Sequence, residues 1–254
     1  MTALLTTQAL TMKFSGLTAV SHFNCVLQKN ELVGLIGPNG AGKTTVFNML
    51  TGVYKPSDGE MKFQDTRLND LMPHTITSIG IARTFQNIRL FKNLSVLDNV
   101  RLGCHIHLNY GIFATALSSP SFVVEEEAVI QKAKELLQIF HLEDQAKIQA
   151  KHLPYGAQRR LEILRALATG PKLLLLDEPA AGLNVGETEA LMEIIQKIRK
   201  DFDLTILLIE HDMRLVMGIC ERIMVLDHGE TIAIGTPKEI QSNSKVIKAY
   251  LGEG

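Results

Sequence analysis

Cysteine is scarce in this chain, and a long apolar run is missing altogether. The 3 cysteines, Cys25, Cys104 and Cys220, are odd in number and far apart. That usage excludes a disulfide framework and suits a reducing compartment. The richest apolar stretches, Leu173 to Leu176 and Thr205 to Ile209, are far too short to span a bilayer and read as buried strands. The N-terminal MTALLTTQAL lacks a basic leader followed by an apolar core, so no secretion signal is expected. An excess of charge is missing too. A formal net charge of -1 argues against binding to nucleic acid by general electrostatics. No internal repeat and no low-complexity tract interrupts the 254 residues. These absences leave a chain expected to be soluble by itself, with any membrane role exercised through a partner.

The 46% hydrophobic content is enough to bury a core in one large domain or two unequal parts. Phe23, Cys25 and Leu27 alternate with polar residues, and Glu31 to Ile36 reads as an apolar strand entering a glycine-rich turn. Lys43 to Leu50 then reads as a helix, with Val46, Phe47 and Leu50 on one face. Pro56, Asp58 and Gly59 mark a turn ahead of the short alternation Met61, Phe63. Further along, Ser95 with Asp98 is a helix-start pair ahead of Val96, Leu97 and Val100. Tyr110 to Phe122 has no clean period and reads as an irregular insertion. From Glu125 the run EEE, followed by Val129, Ala133, Leu136, Leu137 and Phe140, predicts an amphipathic helix with negative charge at its N-terminal end. Strand and helix signals alternate again beyond it: Lys172 to Leu176, Thr188 to Lys200 and Thr205 to Glu210. Arg222 to Leu226 and Glu230 to Ile234 flank His228-Gly229 as a hairpin. These patterns divide the chain into a core over residues 1–87 and 156–254 and an inserted helical subdomain over 88–155.

Two motifs carry chemistry. GPNGAGKTT, Gly37 to Thr45, matches the phosphate-loop pattern and sits between a strand and a helix, where that pattern must sit. Gly37, Gly40 and Gly42 let the backbone wrap phosphates with its N–H groups inward, in company with Pro38, Asn39 and Ala41. Lys43 is placed to reach the β- and γ-phosphates and Thr44 to ligate magnesium, Thr45 completes the ATP-binding motif, and the positive end of the following helix faces the anion. KLLLLDEP, Lys172 to Pro179, ends an uninterrupted apolar strand in two carboxylates. Ligands bind at the carboxyl ends of such strands in a parallel sheet. Asp177 is expected to orient the magnesium shell and Glu178 to polarise the attacking water.

The order GPNGAGKTT, Gln86, LPYGAQRR, LLLLDEP and His211 resembles the nucleotide-binding subunits of ABC transporters, over essentially the whole chain. The resemblance implies an α/β fold: a P-loop ATPase core with a mostly parallel central sheet, an N-terminal antiparallel β portion and an inserted helical subdomain. It implies that Gln86 touches magnesium and senses the helical subdomain, and that His211 contacts the γ-phosphate. It also makes Phe14 the aromatic that stacks on adenine. LPYGAQRRLEILRALA, Leu153 to Ala168, resembles the segment that caps ATP held by the opposite subunit, through Tyr155, Gly156, Ala157 and Gln158. Pro154, Tyr155 and Ala157 depart from the usual serine, glycine and glutamine, and Asn184 stands where aspartate is usual. Pro154 has neither hydroxyl nor N–H, so a usual γ-phosphate donor is missing.

ARTFQNIRLFKNLSVLDNV, the segment ending SSPSF, EPAAGLN, IEHDMRLVMGI and the tail VIKAYLGEG resemble the branched-chain amino acid importer ATPases of bacteria. That resemblance implies Mg-ATP hydrolysis driving uptake of branched-chain or other amino acids. The implied partners are a related second ATP-binding subunit, two permeases and, indirectly, a periplasmic binding protein. The implied location is the cytoplasmic face of the inner membrane, and no nucleic acid is involved. Rival readings make distinct demands. A soluble translation or repair ATPase of this family has two fused cassettes or a long coiled coil, and this chain has one cassette and no heptad run. A lipid or lipopolysaccharide exporter ATPase shares every catalytic residue and differs only in the tail and middle insertion. A P-loop kinase needs neither the signature segment nor His211. Cys104, His105 and His107 offer too few ligands for a zinc site.

Overall fold

A computed structural model describes residues 3–107 and 120–251. In chain order its strands are β1 (Ala3–Phe14), β2 (Leu17–Gln28), β3 (Leu32–Ile36), β4 (Asp58–Phe63), β5 (Thr66–Arg67), β6 (Ile81–Arg83), β7 (Leu173–Asp177), β8 (Thr205–Ile209), β9 (Arg222–Asp227) and β10 (Glu230–Gly235). Its α-helices are α1 (Lys43–Leu50), α2 (Pro73–Ser78), α3 (Val96–Cys104), α4 (Pro120–Ile139), α5 (Tyr155–Ala168), α6 (Val185–Asp201), α7 (Met213–Ile219), α8 (Pro237–Gln241) and α9 (Ser244–Leu251). They fall into two compact units, Met1–Gln86 with Lys172–Gly254 and, separately, Asn87–Pro171. The helix α5, expected in the core, lies in the second unit.

The first unit holds two sheets. One is antiparallel, in the order β2-β1-β4-β5. The other runs β10-β9-β3-β8-β7-β6, parallel except where the hairpin strand β10 meets β9. Every residue of β3, β7 and β8 is buried. A parallel strand covered on both faces needs apolar side chains in both directions, which is why these segments lack alternation. β2 does alternate: Phe23, Cys25 and Leu27 are buried while Asn24 and Val26 are exposed. Both antiparallel-sheet and parallel-sheet residues feed one apolar cluster, where Phe47 and Leu50 of α1 join Val33, Leu35, Leu175 and Leu207. The β9–β10 turn has His228 and Gly229 both at positive φ, 44° and 82°, as a two-residue hairpin turn demands.

In the second unit Ser95 caps α3, its hydroxyl accepting the Asp98 N–H at 3.0 Å. Most of the expected irregular insertion, from Tyr110 up to residue 119, lies outside the described residues. Its last residues are already helical, because α4 starts at Pro120. This corrects the expected start at Glu125. The acidic run therefore sits a turn inside the helix, where the helix dipole has little hold on it. Glu126 instead pairs with Arg101 of α3 at 2.7 Å and with His105 at 3.1 Å. The predicted apolar face is correct: Val129, Ala133, Leu136 and Leu137 are buried, as is Phe140 just past the helix end.

Candidate functional site

The phosphate loop leaves the carboxyl end of β3 and enters α1. Gly37, Gly40 and Gly42 take φ of 150°, 82° and 103°. Gly37 also has no room for a side chain, since a Cβ would lie 2.0 Å from the Leu226 carbonyl oxygen. At Gly42 a Cβ would meet the Ala19 carbonyl oxygen at 2.6 Å. Lys43 is buried, and its Nζ donates to the carbonyls of Gly37 and Pro38 at 2.7 and 2.9 Å. Burial lowers the Lys43 pKa, and the nearby Glu178 and Asp177 carboxylates oppose that fall. These two carbonyls are replaceable acceptors, so phosphate oxygens can take over the ammonium group.

A cavity of about 280 Å³ opens over this loop. It is lined by Ala19 and Asn39 to Thr45 together with Gln86, Glu178 and His211, five stretches that the sequence separates. Glu178 is the common partner. Gln86 Nε2 donates to Glu178 Oε2 at 2.9 Å, and His211 Nε2 lies 3.2 Å from Glu178 Oε1. The Glu178 backbone has φ of 48°, the left-handed region, anchored by its N–H to the Ile209 carbonyl at 2.8 Å. A non-glycine residue in that conformation is strained, a condition that clusters at reactive positions.

Asp177, one residue earlier on β7, is not among the cavity-lining residues, yet its charge reaches Lys43 of the phosphate loop. It is buried, with Oδ2 held by Arg83 Nη2 at 2.7 Å. Alternation along a strand separates the two adjacent acids in this way. Phe14 is not among the cavity-lining residues either. It lies at the end of β1, 38% exposed, edge-on to the Tyr54 ring at 5.3 Å. The signature residues Tyr155 to Gln158 open α5 in the second unit. Pro154 occupies the cap position with no side-chain hydrogen bond. Arg159 Nη2 donates to the Tyr155 hydroxyl at 3.2 Å, and Gln158 Nε2 to the Leu153 carbonyl at 2.9 Å. Asn184 caps α6 in a reciprocal box with Glu187, each bond 3.0 Å long.

Three polar groups at or near these segments escape a reading of motifs. Arg83 grips Asp177. Glu210, buried at the end of β8, accepts the N–H groups of Ala180, His211 and Asp212 at 2.7, 2.9 and 3.2 Å. Burial raises its pKa, the three backbone donors lower it, and the Glu178 charge adds to the rise. In the second unit, Arg159 and Glu162 form a fully buried pair at 3.1 Å, and Glu162 also accepts the Arg89 N–H at 3.0 Å. Glu210 did carry a signal: an acid closing an apolar strand, the pattern that singles out Asp177.

Donor chemistry suits a hard cation beside the loop. Thr44, Gln86 and Asp177 all carry oxygen donors, and Asp177 Oδ1 accepts no hydrogen bond from the described residues. No helix among the described residues is long and apolar enough to cross a membrane.

Comparison with known proteins gives two family matches. Residues 20–181 match a family described as ABC transporter, and residues 230–254 one described as branched-chain amino acid ATP-binding cassette transporter. The high-affinity branched-chain amino acid transport ATP-binding protein LivG of Escherichia coli (strain K12) is 48% identical over 250 residues, 98% of each chain. Among solved structures, a nucleotide-free ATP-binding cassette from an ABC transporter superposes with a TM-score of 0.86 at 28% identity, covering 99% of this chain and 100% of that one. A dimeric cassette in a post-hydrolysis state, bound to ADP and Pi, gives 0.78 at 26% identity over 92% and 98%.

Proposed function

The chain belongs to the ABC transporter ATP-binding family, and from that premise we propose that it is the ATPase subunit of an importer for branched-chain amino acids. The observation that carries the ATPase reading is Glu178 suspended between Gln86 and His211 in the cavity above the phosphate loop. The 48% identity with LivG and the match of the C-terminal residues 230–254 support the substrate class. The tail match favours it over a lipopolysaccharide exporter.

The backbone N–H groups of Gly37 to Thr45 and the start of α1 hold the ATP phosphates, and Lys43 turns from its loop carbonyls to the β- and γ-phosphates. Glu178 accepts a proton from the water that attacks the γ-phosphate. Gln86 fixes one carboxylate oxygen and His211 the other, so the base is oriented before reaction. With Nε2 protonated, His211 donates to Glu178; in the assembled dimer it also reaches the γ-phosphate. Phe14 offers its exposed ring to adenine. Thr44, Gln86 and Asp177 would hold magnesium or its water shell, and that ion would supply charge neutralisation for the phosphate being transferred.

Tyr155, Gly156, Ala157 and Gln158 close on ATP held by a second, related ATP-binding subunit. The Gly156 N–H and the N-terminal end of α5 serve as phosphate donors, given that Pro154 has none. Two ATP molecules clasped in this way draw the subunits together, and hydrolysis releases them. Two membrane permeases on the cytoplasmic face of the inner membrane receive the motion, and a periplasmic binding protein delivers the amino acid. The test is ATPase activity of the complex purified with its membrane subunits, over a panel of amino acids delivered by the binding protein. Stimulation by leucine, isoleucine or valine is expected. Activity indifferent to all of them, or unaltered by Lys43→Ala, overturns the reading.

A further inference from the structure

The Arg83 side chain is 6% exposed and ends β6, the strand that leads into Phe85 and Gln86. Its guanidinium is forked between two elements. Nη2 donates to Asp177 Oδ2 on β7 at 2.7 Å, and Nη1 to Asn48 Oδ1 on α1 at 2.6 Å. The same group lies over two aromatic rings, 5.3 Å from the Phe47 centroid and 5.2 Å from that of Phe85. One side chain thus touches the helix that begins at the phosphate loop, the strand that carries the acidic pair, and the approach to Gln86.

A buried ion pair is a poor source of net stability, because desolvation offsets most of the attraction. Its worth here is geometric. A planar guanidinium with donors in fixed directions defines where a carboxylate sits; an ammonium on a flexible stem does not. The two rings restrict the plane of the fork further. With Oδ2 engaged by Arg83 and Oδ1 accepting nothing from the described residues, Asp177 keeps a single oxygen for another partner.

We propose that Arg83 is the positioning residue for Asp177, setting the orientation in which that carboxylate meets the magnesium shell of bound ATP. The proposal rests on the reading of this site as an ATPase centre. Arg83 acts through Asp177, registered against α1 by Asn48. The consequence is a selective one. Loss of the fork weakens the magnesium-dependent part of nucleotide handling and leaves the grip of the phosphate loop on ATP alone intact.

The experiment compares wild type, Arg83→Met, Arg83→Lys and Asn48→Ala in the complex with its membrane subunits. Binding of a fluorescent ATP analogue is titrated in EDTA and across a range of magnesium concentrations, and ATPase is followed over the same range. Expected is a rise of about tenfold or more in the magnesium needed for half-maximal binding and turnover in both Arg83 variants, as is usual when a group supporting a metal ligand is lost. Affinity in EDTA stays at the wild-type value. Asn48→Ala moves the magnesium requirement in the same direction by less. Arg83→Met leaves Asp177 buried without its partner, so Arg83→Lys and Asn48→Ala decide the matter if that variant cannot be purified. An unchanged magnesium requirement in those two overturns the proposal. So does an equal loss of affinity with and without magnesium, which is the mark of a general packing defect. Failure of the wild-type complex to bind the analogue at all refutes the ATPase reading and not the role of Arg83 within it.

Discussion

Gln86 Nε2 donates to Glu178 Oε2 across 2.9 Å, so the residue just beyond β6 and Phe85 is hydrogen-bonded to the acid just beyond β7. His211 approaches the other oxygen of the same carboxylate at 3.2 Å. A general base held at both oxygens has little rotational freedom left to lose on reaching the transition state.

Glu178→Gln tests that arrangement with the least disturbance, since it keeps the size of the side chain and the left-handed backbone. Hydrolysis by the assembled transporter is expected to fall by about a hundredfold or more, the usual worth of a positioned base. ATP affinity stays as it was, because the phosphate loop is untouched. With turnover blocked, closed dimers accumulate in ATP and show as a shift in size-exclusion chromatography. Rapid turnover by this variant removes Glu178 from the mechanism.

Pro154 gives a prediction with two separable readouts. It stands at the cap of α5 without a hydroxyl to satisfy the first N–H groups. Pro154→Ser restores both a cap and a phosphate donor. The cap contributes about 1 kcal/mol, which raises Tm by about 2–4 °C in a chain of this size. If the missing donor limits the site that uses this signature, ATPase of the transporter rises as well. A higher Tm with the same rate shows that only the cap was missing.

How much of the fold and site is legible in the sequence depends on how local each feature is. The phosphate loop, the acid pair and the β9–β10 hairpin are short patterns whose chemistry is contained in a few consecutive residues. The strand β7 is visible because burial on both faces demands an unbroken apolar run. The start of α4 at Pro120 is obscured, although Ser119-Pro120 is a cap-and-proline signal for it, because the acidic run invites a start where it does not occur. Arg83 is hidden for a different reason, and so is the Ala180 partner of Glu210, whose own position at the end of an apolar strand is visible. Each matters through a neighbour that only sheet order supplies: β6 beside β7 brings Arg83 to Asp177, and β8 beside β7 brings Glu210 to Ala180. Parallel neighbours are far apart in the chain, and no spacing rule pairs them.

Asn184 stands where aspartate is usual, and its bonds explain why the exchange is tolerated. Its side chain caps α6 as well as aspartate would, accepting the Glu187 N–H at 3.0 Å while Glu187 returns the bond. Asn184→Ala is expected to cost about 1 kcal/mol, a fall in Tm of about 2–4 °C. Asn184→Asp should hold the wild-type Tm. An alanine variant as stable as wild type shows that the box contributes nothing in solution.

Glu210 supplies a dependence on pH whose sign can be worked out. Burial is the largest influence on this carboxyl and raises its pKa above the ordinary 4.5; the N–H donors of Ala180, His211 and Asp212 pull it down, and the charge of Glu178 pushes it up again. A group that holds its proton more tightly folded than unfolded favours the folded state fully below its unfolded pKa, and that contribution is lost as pH rises through the folded value. Glu210→Gln cannot ionise. It also exchanges one accepting oxygen for a donor facing N–H groups, a cost that does not vary with pH. The Tm of wild type minus that of E210Q should therefore be greatest below pH 4.5 and shrink as the pH is raised through the folded value. The slope reads the titration and the offset reads the lost acceptor. A difference that is flat with pH, or that grows as the solution is made more alkaline, shows that the three backbone donors outweigh burial and that Glu210 is held as an ordinary carboxylate.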